Sequence, residues 1–302
     1  MPDRRRVLAL GAAPLLAGTG SPARAQAGSR LTPARLDSSR GPVDFQVYLP
    51  DGYADEGTQR YPLLMLLHGR GDNMSAWTRV RPLLDAMIAS AAVPPLIAVM
   101  PDAPWSRRGN YYVDSAHAQG SPVQTLLLDE LLPHVDTRWR TLGDRDSRVV
   151  GGYSMGGYGA LRFAFARPRA FGAALVLSPA VYTPLPPAGS SAREFGAFGR
   201  GQALFVDAIY EAGNYPALLP ALRAARTPLR VFIAAGDREY KHPDPADAPH
   251  DIDVEAHRLF SRLCREPQAR AALRILDGGH DWAVWQPAFH EGLRWCAREL
   301  AW

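Results

Sequence analysis

The sequence predicts an α/β fold in which a mostly parallel sheet carries helices on both faces, and three observations support that expectation. Short apolar runs recur along the chain and alternate with stretches of helical spacing. The runs are unbroken rather than alternating, the pattern of strands buried on both sides. The chain has 302 residues and 47% hydrophobic composition, enough for one large domain or a domain with an appendage, and too apolar for disorder.

Taken in order, "VDFQVYLPDGY" (43–53) reads as a strand closing in a Pro-Asp-Gly turn, and "YPLLMLLHG" (61–69) as a buried strand ending in glycine. Helical spacing over 75–90 leads to a buried strand, "LIAVM" (96–100). "SPVQTLLLDELLPHVD" (121–136) predicts a helix with Ser121 as N-cap and Pro122 in its first turn. Strand "RVVGG", helix "MGGYGALRFAFA" and strand "AALVLS" cover 148–178, and "LRVFIAAG" (229–236) is the next strand. Helix "IDVEAHRLFSRLC", strand "ALRILDGG" and helix "WQPAFHEGLRWCAREL" complete the chain. Residues 180–228 interrupt this rhythm. They open with "VYTPLPPAGSSAREFGAFGRG" and are too few to bury a core of their own, so a cap over a site is expected within a single domain spanning 28–302.

Residues 1–27 have a cationic start, an apolar stretch from Val7 to about Gly18, and small residues at Ala23, Ala25 and Ala27. This is the pattern of a cleaved export signal, and Arg4-Arg5 before Val7-Leu8 resembles the twin-arginine type. The apolar stretch is too short for a stable membrane anchor, so a periplasmic or secreted protein is expected. The formal charge of +4 drops to about +1 without this segment, which removes the argument for nucleic-acid binding. Spacing leaves Cys264 and Cys296 open between a disulfide and two free thiols.

The stretch "GGYSMGGYGA" (151–160) gathers five glycines around Ser154 between a strand and a helix. A nucleophilic serine needs its hydroxyl projected into a cleft, a base within hydrogen-bond reach, and backbone N–H groups for the developing oxyanion. The pattern Gly152-Tyr153-Ser154-Met155-Gly156 provides the sharp turn that projects it. The partners are then expected in the order serine, acid, histidine. His280, in the loop "LDGGHDW" after the last strand, is placed to serve as base. The acid falls in 236–251, with Glu239 preferred and Asp237 the alternative. His242, His250 and the aspartates of that loop are irregularly spaced and read as a solvated acidic loop rather than a metal site. His68, at a strand end, is expected to shape the oxyanion loop. The backbone N–H groups of Met155 and Arg70 are the expected donors, with Gly71 the alternative to Arg70.

The segments "VYLPDGY", "YPLLMLLHGRGD", "NYYVDS", "DELLPHVDTRWRT", "VVGGYSMGGYGALRFAFARPRAFGAALVLSPAVY" and "LDGGHDWAVW" resemble, in order and spacing, the putative-esterase family of α/β hydrolases. That family includes S-formylglutathione hydrolases, enterochelin esterases, feruloyl and acetylxylan esterases and mycolyltransferases. The resemblance covers about residues 40–300. It implies an α/β-hydrolase fold, Ser154 as nucleophile, His280 as base, an acid at Glu239 where many members have Asp, and no cofactor. The expected activity is ester hydrolysis through an acyl-enzyme, on a small or aromatic acyl ester that is free or polysaccharide-linked. An acyltransferase, or a scaffold that only binds, is the alternative. Trp105, Tyr111, Tyr112 and Tyr182 are candidates for an aromatic substrate pocket, or else packing residues.

Overall fold

The computed structural model describes residues 28–240 and 245–302. The expected export signal, together with His242 and Asp244, lies outside them. Among the described residues ten strands form, in chain order β1 (Arg30–Ser38), β2 (Gly41–Leu49), β3 (Leu63–Leu67), β4 (Ile97–Pro101), β5 (Ala116–His117), β6 (Arg148–Tyr153), β7 (Ala173–Leu177), β8 (Arg200–Gly201), β9 (Leu229–Gly236) and β10 (Ala269–Leu276). Eight of them make one sheet in the order β1-β2-β4-β3-β6-β7-β9-β10. From β4 to β10 every pairing is parallel, while β1 and β2 run antiparallel at one edge. The mostly parallel sheet and its flanking helices match the expected fold class.

Alternate residues of each buried strand feed two separate cores. Met65, Val150, Val176 and Val231 face one side. Leu64, Val149, Leu175 and Phe232 face the other. The first side is covered by α3 (Val123–Thr125) and α4 (Leu132–Arg138), by α5 (Met155–Ala166), and by α6 (Asp207–Gly213), α7 (Tyr215–Ala225) and α8 (Ile252–Leu263). The second is covered by α1 (Arg81–Ala89) and the long α9 (Trp282–Leu300). The four-residue turn α2 (Trp105–Arg108) lies in the loop after β4. Each fully buried Leu, Val or Phe in these layers stabilises the fold by about 1.5–3 kcal/mol.

Several local expectations are corrected. The edge strand β1 is absent from the sequence reading because its side chains are mostly exposed or half-buried, leaving no apolar run to detect. Ser121 is not an N-cap. Pro122 occupies that position without a side-chain bond, and the helix passes through a π-helical stretch, Leu126–Leu131, before α4. The C-terminal helix begins three residues before the expected start, where the Asp281 carboxylate accepts from Ala283 N–H at 2.8 Å. Cys264 is exposed and free at the end of α8, whereas Cys296 is free and buried on α9. The two helices lie on opposite faces of the sheet, which keeps the thiols apart.

Residues 180–228 contain β8, α6 and α7, and their apolar side chains Phe198, Tyr210, Leu219 and Leu222 join the core of the first face. The hydroxyl of Tyr158 on α5 donates to the Gly213 carbonyl at 2.8 Å, and Tyr210 O–H and Asn214 Nδ2 donate to the Tyr182 carbonyl.

Candidate active site

The turn from β6 into α5 places Ser154 at φ 56° and ψ −120°, outside the comfortable range of an L-residue. Close backbone approach holds it there. A Cβ on Gly152 would lie 2.2 Å from the Gly156 carbonyl oxygen, and one on Gly156 would lie 2.2 Å from that of Leu67. Only glycine fits at these two positions, so the glycines around the serine are required by packing across the turn. Ser154 N–H donates to Leu177 O at 2.9 Å, tying the turn to β7.

The loop after β10 brings His280 to this turn, with Nε2 2.9 Å from Ser154 Oγ. On the other side of the ring, Nδ1 lies 2.7 Å from Glu239 Oε2. A carboxylate only accepts, so Nδ1–H is the donor and Nε2 is left to accept from the serine hydroxyl. The geometry thus joins Ser154, His280 and Glu239 in one directed chain. Glu239 is buried and accepts at Oε1 from Gly236 N–H at 2.5 Å and Ser178 O–H at 2.6 Å. Asp237 faces away: it is exposed, accepts from Gly278 N–H at 3.0 Å and pairs with Arg238 at 3.4 Å. Ser178 also accepts from the indole N–H of Trp285 at 2.9 Å. Trp285 stacks on Tyr153 with ring centroids 4.2 Å apart and meets His280 edge-on at 5.1 Å. Ser178 and Trp285 were missed in the sequence. Each is a common residue type whose partner stands far away in the chain, and no local motif marks it.

Met155 is the first residue of α5, so its N–H has no carbonyl to bond within the helix. Arg70 lines the cavity beside Ser154. Gly71 N–H donates to Arg108 O at 3.1 Å, which removes it from the choice of oxyanion donors. Arg108 returns a guanidinium bond to Asp72 O at 3.2 Å and pairs bidentately with Asp102. Tyr153 O–H donates to Asp72 Oδ2 at 2.5 Å, so the loop 69–72 is held at three points. His68 is buried just before it, with Nδ1 2.8 Å from Gly69 O, and burial pushes its imidazole below the ordinary value.

A cavity of about 480 Å³ opens over the serine. Tyr111 and Tyr182 line it, and burial raises both phenols above their ordinary value. Trp105 and Tyr112 do not. Trp105 packs half-buried against the core, and Tyr112 is fully buried with its hydroxyl donating to His68 O at 2.9 Å. For these two the packing alternative of the sequence reading holds, and their place among the pocket candidates falls to Tyr111 and Tyr182 alone. Tyr240, His250 and Ile252, and the segment Pro187–Ser191 of the insertion, complete much of the wall.

A family profile described as putative esterase matches residues 38–296. The chain is 33% identical over 149 residues to an endo-1,4-beta-xylanase/feruloyl esterase of Xylanibacter ruminicola, a match covering 46% of this chain and 20% of that protein. It is 35% identical over 124 residues to an esterase of Mycobacterium tuberculosis, covering 39% and 25% respectively. These matches span a quarter or less of the relatives' length. Among solved structures, a ferulic acid esterase superposes with a TM-score of 0.69 at 22% identity over 90% of this chain and 98% of that one. An S-formylglutathione hydrolase of Staphylococcus aureus gives 0.65 at 20% identity over 89% and 98%. At such identities these likenesses speak for the fold, that of the α/β hydrolases.

Proposed function

The chain belongs to the putative-esterase family, and on that premise we propose that it is a serine carboxylic-ester hydrolase working through an acyl-enzyme. The observation that carries the reading is the directed hydrogen-bond chain Ser154–His280–Glu239 at 2.9 and 2.7 Å on a glycine-walled turn. In this reading His280 Nε2 takes the Ser154 proton as Oγ attacks the ester carbonyl. Glu239 holds the imidazole in the required tautomer and stabilises its charged form. The backbone N–H groups of Met155 and Arg70 hold the oxyanion. The imidazolium then protonates the leaving alcohol, and water activated by the same nitrogen releases the acid.

The cavity volume and its tyrosines suit a small or aromatic acyl ester, in keeping with relatives and neighbours described as feruloyl or ferulic acid esterases. The relative described as an endo-1,4-beta-xylanase/feruloyl esterase makes a polysaccharide-linked ester a natural candidate. We likewise read residues 1–27 as an export signal, which would place the enzyme among extracytoplasmic esters.

The test is hydrolysis of nitrophenyl esters from acetyl to dodecanoyl, with methyl ferulate alongside, by the protein and its Ser154→Ala variant. Turnover is expected in the first and a loss of several orders of magnitude in kcat in the second. Near-normal turnover by the variant would remove Ser154 from the mechanism. Ester exchange with added glycerol in place of free acid would instead make the protein an acyltransferase.

A further inference from the structure

We propose that His250 is a specificity-determining residue that hydrogen-bonds a hydroxyl group of the substrate, an inference that rests on the esterase reading above. His250 lines the same cavity as Ser154 and His280, with 28% of its side chain exposed. Behind it Glu255, on the first turns of α8, is buried at 0% exposure without touching the Ser154–His280–Glu239 chain. Its carboxylate accepts from Thr183 N–H at 2.9 Å, from Thr183 O–H at 2.7 Å and from Arg258 at 3.2 Å. The fourth contact is His250 Nδ1, 3.3 Å from Oε1. With every other partner donating, the carboxyl group serves as an acceptor, and His250 Nδ1–H is therefore a donor as well.

That bond orients the ring and dedicates Nδ1 to the protein. Tyr182, itself part of the cavity wall, meets the imidazole edge-on at 6.4 Å and packs it from another side. Nε2 has no bond to a described residue. In the neutral ring it offers a lone pair, and in the charged ring an N–H. A hydroxyl group satisfies either state because it both donates and accepts, whereas a C–H at the same place satisfies neither. Among other ionisable side chains of the wall, Asp72 is committed to Tyr153, Arg238 to Asp277 and Glu239 to His280, while the Arg70 guanidinium lies over the Phe195 ring at 5.9 Å. A buried carboxylate thus holds a second imidazole against the substrate cavity with one nitrogen to spare, the arrangement of a recognition contact.

The hydroxyl can belong to the acyl group, as a phenol, or to the alcohol, as a sugar or glycerol. Two matched pairs separate these sources: methyl 4-hydroxycinnamate against methyl cinnamate, and glyceryl monobutyrate against propyl butyrate. The readout is the ratio of kcat/KM for the hydroxylated ester to that for the plain one, in the wild type and in His250→Phe, with His250→Asn as a second variant should the first fail to fold. The ratio is expected to fall about fivefold in at least one pair, the selectivity that one neutral hydrogen bond supplies. The pair that responds identifies the side of the ester. Ratios within twofold of wild type in both pairs, with hydrolysis continuing, would overturn the role of His250 and leave the esterase reading standing. No hydrolysis of any ester by the wild type would overturn both.

Discussion

Ser178 sits between two groups that need it, and replacing it with alanine separates their contributions. The hydroxyl donates to Glu239 at 2.6 Å and accepts from Trp285 Nε1–H at 2.9 Å, with all three residues buried. Ser178→Ala removes a hydrogen bond to a charged group, worth about 1.5–3 kcal/mol, and leaves an indole N–H without a partner, at a cost of about 1–3 kcal/mol. These terms overlap, so a loss of roughly 2–4 kcal/mol of stability is expected. A double-mutant cycle with Trp285→Phe isolates the bridge. In the phenylalanine background there is no orphaned N–H, so the two losses should fall short of additivity by about 1–2 kcal/mol. Urea unfolding of the four proteins measures this, with unchanged m-values as the check that the unfolded state is comparable. Turnover adds a second readout. Glu239 keeps its bonds to Gly236 and His280, so kcat is expected to fall by about tenfold rather than by orders of magnitude. Additivity within about 0.5 kcal/mol would refute the bridging role, because two independent residues would give that result.

Three further outcomes are expected. Glu239→Gln should lower kcat by at least about a thousandfold through loss of the imidazole's orienting charge, while Asp237→Asn stays within about twofold; the reverse pattern in steady-state kinetics would move the acid to Asp237. Arg108→Ala frees the loop 69–72 from one of its three anchors, so kcat should drop tenfold to a hundredfold with KM little changed, and a change confined to KM would count against positioning. Burial depresses the His68 imidazole, so below about pH 6.5 the unfolded chain takes up a proton that the folded one refuses. Stability is therefore full above that pH and is lost as pH falls toward the folded value, by up to about 1.4 kcal/mol per unit. Unfolding midpoints at pH 7.5 and 5.0 should draw together in His68→Gln, and parallel pH dependences in variant and wild type would reject this account.

The strands of the buried sheet and the serine turn were legible because each is written locally: an unbroken apolar run, or glycines at fixed offsets. β1 was not, since a solvated edge strand carries little apolar signal. Glu239 and Asp237 stand two residues apart in one loop, and only folding shows which carboxyl group turns inward beneath Ser178 and Gly236. Tyr111 and Tyr112 are neighbours of the same type, yet one lines the cavity and the other is locked under His68. Both have positive φ, a backbone reversal that composition does not announce. His250 drew notice only as part of an acidic loop, because its partner Glu255 reads as an ordinary helix residue.

The bond between His280 and Ser154 spans 126 residues, and it joins a turn in the middle of the sheet to a loop beyond the edge strand β10. During synthesis the nucleophile's turn and its glycine walls are complete long before the base exists. The loop that carries His280 is fixed only once α9 has docked, since Trp285 on that helix supplies the indole beneath Ser178. A chain that has emerged only as far as α8 therefore owns a strained serine and the acid Glu239 with no base between them. Competence arrives with the last elements to fold, as expected for contacts of long sequence separation, and the onset of turnover in a refolding experiment would time the closure of this C-terminal edge.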